Sequence, residues 1–207
     1  MFLQLALDRL TKEECFQIVE ETEISIDWIE IGTGVIKEYG MAMVREMKAN
    51  FPHKTIVADM KTCDAGKHET KQAFEAGADI STVMAFSANQ TIKDSLEVAR
   101  LYDKKIMVDL LGVFDWNRID SLVEMGVDLL CFHYGKDMQT QRELDVKSLP
   151  FSDTLKDIQI SVAGGISDKN LPEILLINPD IIIVGNGISM AADRGKAAAY
   201  IKEYISK

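Results

Sequence analysis

Residues 76–85, AGADISTVMA, contain the pattern that decides the fold. A helical stretch ends at a glycine, an aspartate follows, and a run of apolar and β-branched residues comes next. Residues 125–134, MGVDLLCFHY, and residues 177–186, INPDIIIVGN, repeat the arrangement. A glycine or proline turn between a helix and an apolar run is typical of the junction between a helix and a buried strand.

Extending this pattern along the chain predicts eight strands alternating with eight helical stretches. The alternation predicts a parallel sheet, and eight units favour closure into a (β/α)8 barrel, here one domain over residues 1–207. A doubly wound open sheet is the alternative, but it would show a glycine-rich turn after the first strand, which residues 5–14, LALDRLTKEE, lack. The predicted strands are Phe2–Asp8, Ile26–Gly32, Thr55–Met60, Ile80–Ala85, Lys105–Leu111, Leu129–His133, Gln159–Ala163 and Asp180–Val184.

The composition limits the possible partners and compartments. A formal net charge of −10 argues against nucleic acid, which requires a basic face. No apolar run approaches the roughly 18 residues of a membrane span, and the N-terminus lacks the basic leader of a signal peptide. The three cysteines are odd in number and lack metal-ligand spacing, which predicts reduced thiols in a cytoplasmic protein without a membrane partner.

Polar residues at the strand ends are the candidates for function, because barrel enzymes place their active sites at the C-terminal ends of the strands. Asp59 and Lys61, at positions i and i+2, are predicted to share one face of the third strand. Acids that converge with a single lysine form an unbalanced cluster, which favours a hard divalent cation bound by oxygen ligands. The strand-end candidates are Asp8, Glu30, Asp59, Lys61, Asp109 and His133.

Several of these residues have a simpler interpretation. Asp8 could cap the helix that follows it, and Asp64 could cap the helix that begins near Lys67. Cys63 is predicted to be a packing residue, since nearby acids oppose a lowered thiol pKa. His133 closes an inward-facing strand at the correct end of the barrel, which favours acid–base chemistry.

Two glycine loops predict a phosphate site. Residues 164–167, GGIS, and residues 186–189, NGIS, follow the last two predicted strands. Glycines allow backbone N–H groups to approach an anion closely, and phosphate sites of such barrels often use these two loops. The predicted phosphate-binding residues are Gly164, Gly165, Gly185, Asn186 and Gly187.

Together these features suit a phosphorylated ketose or ketoacid. A metal that chelates adjacent oxygens stabilises an enediolate, and His133 can move the proton that creates or quenches it. A Schiff-base aldolase is disfavoured, because flanking acids raise the pKa of a lysine whereas a nucleophilic amine needs a lowered one.

Five motifs along the chain resemble the orotidine-phosphate decarboxylase suprafamily. Within it they resemble the hexulose-6-phosphate synthases, with the 3-keto-L-gulonate-6-phosphate decarboxylases as close relatives. The resemblance covers nearly the whole chain, and its specific mark is the Asp-x-Lys-x-x-Asp pattern of residues 59–64. The motifs are QLALD at 4–8, IEIGTGVIKEYG at 29–40, ADMKTCDAG at 58–66, FHYGKD at 132–137 and VAGGIS at 162–167.

The resemblance implies a (β/α)8 homodimer with active sites at the interface. It implies that Glu30 and Asp59 hold Mg²⁺, that Lys61 sits at the reacting centre, and that His133 is the base. Asp64 would reach into the site of the partner subunit. The residues assigned to substrate are Asp8, Asp109 and Lys136.

Single positions separate the two relatives. Ala163 and the spacing from His133 to Asp137 resemble the synthases, and Lys136 and Asn186 stand where the decarboxylases carry arginine. The synthase resemblance implies Mg-dependent aldol addition of formaldehyde to D-ribulose 5-phosphate. The alternatives are the decarboxylase and a degenerate barrel that only binds a sugar phosphate.

Overall fold

Eight parallel strands close into a barrel in the order in which they follow along the chain, and the last strand pairs with the first. The computed structural model describes residues 1–138 and 155–206. This architecture confirms the predicted (β/α)8 barrel. The strands are β1 Phe2–Leu7, β2 Trp28–Ile31, β3 Thr55–Thr62, β4 Ile80–Met84, β5 Lys105–Asp109, β6 Leu129–His133, β7 Gln159–Ala163 and β8 Ile181–Val184.

Helices connect the strands around the outside of the barrel. Two helices, rather than one, separate β2 from β3, because Gly40 adopts a φ of +64° and interrupts the helix there. The helix predicted between β6 and β7 falls largely on residues 139–154, outside the described residues. The described helices are α1 Lys12–Thr22, α2 Thr33–Tyr39, α3 Met41–Asn50, α4 Gly66–Glu75, α5 Asn89–Tyr102, α6 Trp116–Glu124, α7 Leu171–Leu175, α8 Asn186–Ser189 and α9 Arg194–Ile205.

The aspartate that recurs before a strand has a structural role at the bottom of the barrel. Asp79, before β4, donates its N–H to the Ile56 carbonyl at 2.8 Å and accepts the Ile56 N–H on its carboxylate at 2.9 Å. The side chain therefore satisfies a strand N–H at the open lower edge, where the ladder has no further partner. Two further pairs repeat both hydrogen bonds, Asp27 with Leu3 and Asp180 with Ile160.

Strand alternation sorts the apolar residues into two layers. Leu3, Leu5 and Leu7 of β1 are fully buried in the layer beneath the helices. The other face of the strands fills the barrel interior below its mouth, and this inner cluster consists of Trp28, Val57, Ile80, Met107, Leu129, Cys131, Ala163, Ile181 and Ile183. In the described part of the chain, no helix has both the length and the apolar character needed to cross a bilayer.

Candidate active site

A cavity of about 650 Å³ opens at the C-terminal end of the barrel. Charged strand-end residues and both glycine loops line it, so the structure brings together residues from all eight strands or the loops after them. Among the predicted site residues, Asp64 alone lies outside this lining. The lining includes Asp8, Glu30, Asp59, Lys61, Asp109, His133, Lys136, Gly164, Gly165, Gly185, Asn186 and Gly187.

Lys61 enters the cavity through a distortion of β3. Its backbone φ is +47°, and the β3–β4 register shifts between Ala58 and Thr62. The Lys61 N–H donates to Thr82 Oγ1 at 2.9 Å, which holds the distorted backbone against β4. Asp59 and Lys61 do meet at one site, but a left-handed turn brings them together rather than the strand alternation that the sequence predicts.

The Lys61 ammonium bridges two buried carboxylates. Its Nζ lies 2.9 and 2.8 Å from the two oxygens of Asp59 and 3.0 Å from Asp109 Oδ2. Although burial favours the neutral amine, the charges of Asp59 and Asp109 raise the Lys61 pKa above its ordinary value. Lys61 is therefore a fixed positive charge, in agreement with the argument against a Schiff base.

Asp59 is held by hydroxyl groups as well as by the lysine. Thr33 Oγ1 donates to Asp59 Oδ2 at 2.7 Å, and Thr82 Oγ1 donates to Oδ1 at 2.9 Å. With the two contacts to Lys61, these bonds occupy about all four acceptor positions of the carboxylate. Thr33 begins α2 and Thr82 lies in β4, and the sequence marks neither as a site residue.

His133 is oriented by Asp109. His133 Nδ1 lies 2.9 Å from Asp109 Oδ2 and 3.2 Å from Oδ1, while the Leu111 N–H donates to Oδ1 at 2.8 Å. A ring that donates from Nδ1 to a carboxylate leaves Nε2 as the atom that can accept a proton. Burial opposes the charged ring, but the hydrogen bond and charge of Asp109 raise the His133 pKa.

The Asp109 carboxylate is occupied by its contacts with His133, Lys61 and the Leu111 N–H. Burial alone would raise its pKa, but the hydrogen bond and charge of His133, followed by Lys61, lower the pKa to about 2. Asp109 lines the cavity but is only 3% exposed. Its contacts favour a role in positioning His133 and Lys61, whereas the sequence assigns it to the substrate.

Among the carboxylates of Glu30, Asp59 and Asp109, that of Glu30 has its negative charge offset least by neighbouring donors and positive charges. Gln4 Nε2 donates to Glu30 Oε2 at 2.5 Å. Burial and the neighbouring Asp59 charge raise the Glu30 pKa to about 7, and Lys61 offsets only part of this effect. A second positive charge at this point would stabilise the ionised carboxylate.

The donor set at the mouth fits a magnesium ion. No group of three or more His, Cys, Asp or Glu side chains within residues 1–138 and 155–206 is arranged to hold a metal. Mg²⁺ commonly takes only one or two carboxylates and completes its octahedron with water and substrate oxygens. Glu30 and Asp59 supply that number, and the uncompensated charge of Glu30 is what a cation would offset.

The capping alternatives for Asp8 and Asp64 are wrong. Thr11 caps α1 and forms a capping box with Glu14, whereas Asp8 accepts the Gly34 N–H at 2.9 Å. The N-cap of α4 is Ala65, in the left-handed region at φ +52°, and no side chain caps that helix. Asp8 therefore remains available at the cavity edge, and Asp64 is an exposed residue of the β3–α4 loop.

The packing interpretation of Cys63 is also wrong. Cys63 is exposed on the loop after β3, where its Sγ donates to the Lys61 carbonyl at 3.3 Å. The left-handed turn at Lys61 moves the chain away from the core at this point. Cys63, Cys15 and Cys131 are all free thiols.

The two glycine loops approach each other closely at the cavity wall. A Cβ on Gly164, whose φ is +113°, would lie 2.1 Å from the Tyr134 carbonyl. A Cβ on Gly187 would lie 2.5 Å from the carbonyl of Ile166, in the other loop. Glycine is therefore required for this packing itself, and the binding of an anion by the backbone N–H groups of these loops stays a prediction.

The barrel and its charged mouth define a (β/α)8 enzyme, and the sequence identifies its family. The chain belongs to the orotidine 5'-phosphate decarboxylase / HUMPS family, whose sequence profile matches residues 1–201. The 3-hexulose-6-phosphate synthase of Bacillus subtilis (strain 168) is 41% identical over 207 residues, covering 99% of each chain.

Solved structures agree with this assignment. The crystal structure of 3-hexulose-6-phosphate synthase from Salmonella typhimurium superposes with a TM-score of 0.94 and 34% identity, covering 100% of this chain and 99% of that one. The 3-keto-L-gulonate-6-phosphate decarboxylase from Vibrio cholerae O1 biovar El Tor str. N16961 superposes with a TM-score of 0.83 and 26% identity, covering 99% and 97%. Both classes that the motifs resemble are therefore structural neighbours of this chain.

Proposed function

We propose that this protein is a 3-hexulose-6-phosphate synthase, which joins formaldehyde to D-ribulose 5-phosphate and forms D-arabino-hex-3-ulose 6-phosphate. The observation that carries the proposal is the continuous chain of contacts from His133 through Asp109 and Lys61 to Asp59, inside a cavity that both glycine loops also line. Full-length relatives at 41% and 35% identity that are named 3-hexulose-6-phosphate synthase support it.

His133 is the proposed base. With Nδ1 held by Asp109, Nε2 takes the proton from C1 of the sugar, and the electron pair of the broken C–H bond forms the enediolate. C1 then bonds to the carbon of formaldehyde. The aldehyde oxygen takes the proton from His133, so the ring returns to its starting state.

Lys61 stabilises the charge that develops on the sugar oxygens. Its raised pKa keeps the ammonium charged, and the two flanking carboxylates hold it in place before the substrate binds. Such a preorganised charge is more effective in a half-buried site than in water. Asp59 contributes by fixing the lysine.

The residues that would hold Mg²⁺ are Glu30 and Asp59. When bound, the ion supplies positive charge that stabilises adjacent oxygens of an enediolate. Glu30 would stay ionised in the loaded site, because the ion offsets the effects that raise its pKa.

The substrate would lie across the mouth, with its phosphate on the loops after β7 and β8. Gly164 and Gly165 have positive φ values, and the first N–H groups of α8 have no partner within that helix. Asp8 and Lys136 are the proposed contacts to the sugar, since both line the cavity.

We further propose a homodimer in which Asp64 completes the site of the partner subunit. Exposed aromatic side chains on the loops after β4 and β5 support this arrangement: Phe86 is 59% and Phe114 is 66% exposed. Both loops lie at the mouth end of the barrel, where an interface between two subunits would cover these rings. The three free thiols favour the cytoplasm as the compartment.

The second candidate is 3-keto-L-gulonate-6-phosphate decarboxylase, and Lys136 is the observation that favours it. This side chain lines the mouth and offers a cation where a substrate carboxylate or a proton relay would need one. Ala163 and the spacing from His133 to Asp137, which resemble the synthases, favour the first candidate.

The experiment that tests the proposal is a paired assay of the purified protein. One reaction contains D-ribulose 5-phosphate, formaldehyde and Mg²⁺, the other contains 3-keto-L-gulonate 6-phosphate, and product is followed by NMR. We expect hexulose phosphate in the first and little turnover in the second. Preferential decarboxylation would establish the second candidate, and inactivity on both would favour the degenerate barrel.

The metal requirement is tested separately. Exhaustive chelation should abolish synthesis, and added Mg²⁺ should restore it. Glu30→Gln should raise the Mg²⁺ concentration needed for half-maximal rate while the circular dichroism spectrum stays unchanged. Full activity after chelation would remove the ion from the proposal.

A further inference from the structure

Gln4 is a polar side chain in the interior of the barrel, and none of the roles proposed above uses it. It is 0% exposed and lies on β1 below the cavity floor. In the β1–β2 register Gln4 pairs with Trp28, and Ala6 pairs with Glu30. The Gln4 side chain therefore reaches upward by one inward-facing position to meet the carboxylate of Glu30.

The two oxygens of Glu30 are in different environments because of this contact. Oε2 accepts the Gln4 amide at 2.5 Å. Oε1 has no hydrogen-bond donor among the described residues. Since it is also not among the buried atoms without a partner, it is accessible, and it opens on the cavity that Glu30 lines. The contact thus turns one oxygen toward the interior and leaves the other facing the mouth.

The cost of burying Gln4 indicates that this donor has a function. Its Oε1 is a buried acceptor without a partner among the described residues. A half-satisfied amide in a barrel interior is unfavourable compared with an apolar side chain of similar size. The inner cluster that fills the barrel below the mouth, which includes Val57 and Met107, is apolar. Packing alone would therefore be served better by methionine or leucine.

We propose that Gln4 is a positioning residue that holds Glu30 as the principal ligand of the divalent cation. Asp59 already accepts hydrogen bonds from Lys61, Thr33 and Thr82, so it would have to give one of them up to bind an ion, whereas Glu30 Oε1 has no donor to displace among the described residues. A hydrogen bond from behind fixes the orientation of a ligating carboxylate, and losing such a partner commonly costs about 10- to 100-fold in metal affinity. The inference rests on the proposed metal dependence and extends it to a residue beneath the cavity.

The test measures metal binding rather than turnover. Mn²⁺ affinity is determined by electron paramagnetic resonance, and Mg²⁺ affinity by calorimetry, both without sugar phosphate. Gln4→Met keeps the length of the side chain and removes the donor, and Gln4→Asn keeps the amide but places it too far from Oε2. We expect both variants to bind Mn²⁺ about 10- to 100-fold more weakly.

Two comparisons separate positioning from a general structural effect. Ser81→Ala is the matched control, because Ser81 is also 0% exposed and its hydroxyl lacks a partner among the described residues. It should leave metal affinity unchanged. In a Glu30→Gln background, Gln4→Met should weaken Mn²⁺ binding no further, since the carboxylate that it positions is gone.

The outcomes distinguish this inference from the proposed function. Unchanged Mn²⁺ affinity in both folded Gln4 variants would overturn the positioning role while leaving the synthase proposal intact. Additive losses in the double variant, or failure of both Gln4 variants to fold, would make Gln4 a structural residue and overturn the inference as well. A wild-type protein that makes hexulose phosphate but binds no metal would overturn it together with the metal site.

Discussion

The substitution His133→Ala tests whether His133 is the base that removes the C1 proton of the sugar. The wild-type protein should exchange the C1 proton of D-ribulose 5-phosphate with solvent deuterium in the absence of formaldehyde, because removal of that proton precedes carbon–carbon bond formation. Loss of a positioned base typically slows such a step about 10²- to 10⁴-fold, equivalent to about 2.7–5.4 kcal/mol of activation free energy. The assay is loss of the C1 proton signal by NMR in deuterium oxide.

The structure predicts that the variant stays folded. Asp109 loses its contact to His133 but keeps Lys61 at 3.0 Å and the Leu111 N–H at 2.8 Å. We therefore expect the free energy of unfolding to fall by about 1–3 kcal/mol, less than the 3–5 kcal/mol that follows when a buried charge loses its partner altogether. Sugar phosphate binding should persist, since the glycine loops and Lys61 remain. His53→Ala is the control, because His53 is an exposed residue that pairs with Glu23.

The pH dependence of exchange provides an independent check. A ring protonated on both nitrogens cannot accept a proton, so the rate should rise with pH through the His133 pKa, which Asp109 raises above its ordinary value of about 6.5. Asp109→Asn removes that charge, whereas Lys61 continues to oppose ring protonation. The rise should move to lower pH, with a smaller plateau rate. Exchange that persists unchanged in His133→Ala would refute the assignment of the base to β6.

Three further perturbations test other parts of the structure. Lys61→Met leaves two buried carboxylates without their shared cation, so the free energy of unfolding in urea should fall by about 3–5 kcal/mol. A fall smaller than that caused by the capping variant Thr11→Ala would contradict the pairing of Lys61 with Asp59 and Asp109. Thr11→Ala removes the capping box of α1 and should cost about 1 kcal/mol with no change in synthase rate, since Thr11 lies outside the cavity. Mixing inactive Asp64→Ala with inactive His133→Ala subunits should restore activity through hybrid dimers; no recovery despite demonstrated subunit exchange would place both residues in the site of one chain.

Local patterns in the sequence were sufficient to predict the scaffold. Strand order, the alternation of helices and strands, and the approximate bounds of the strands all follow from apolar runs and the turns between them. The aspartates that precede β4 and β8 belong to the same local pattern, although their hydrogen bonds to neighbouring strands are visible only in the structure. The strands are parallel, so their carboxyl ends meet at one edge of the barrel. The charged residues at the strand ends could therefore be predicted to line the cavity.

Tertiary structure decided how those residues are paired. Gln4 and Glu30 lie 26 positions apart, as do Thr33 and Asp59, and each pair meets only because barrel closure sets the register between neighbouring strands. Alternation predicts the face that a residue points to but not the partner across the sheet, and it did not predict the left-handed turn at Lys61. The sequence by itself thus determined which side chains reach the mouth of the barrel. The three-dimensional fold alone determined which carboxylate holds the lysine, which holds the histidine, and which is left open to a cation. The reason is that hydrogen bonds between distant segments depend on register and backbone distortion rather than on local composition.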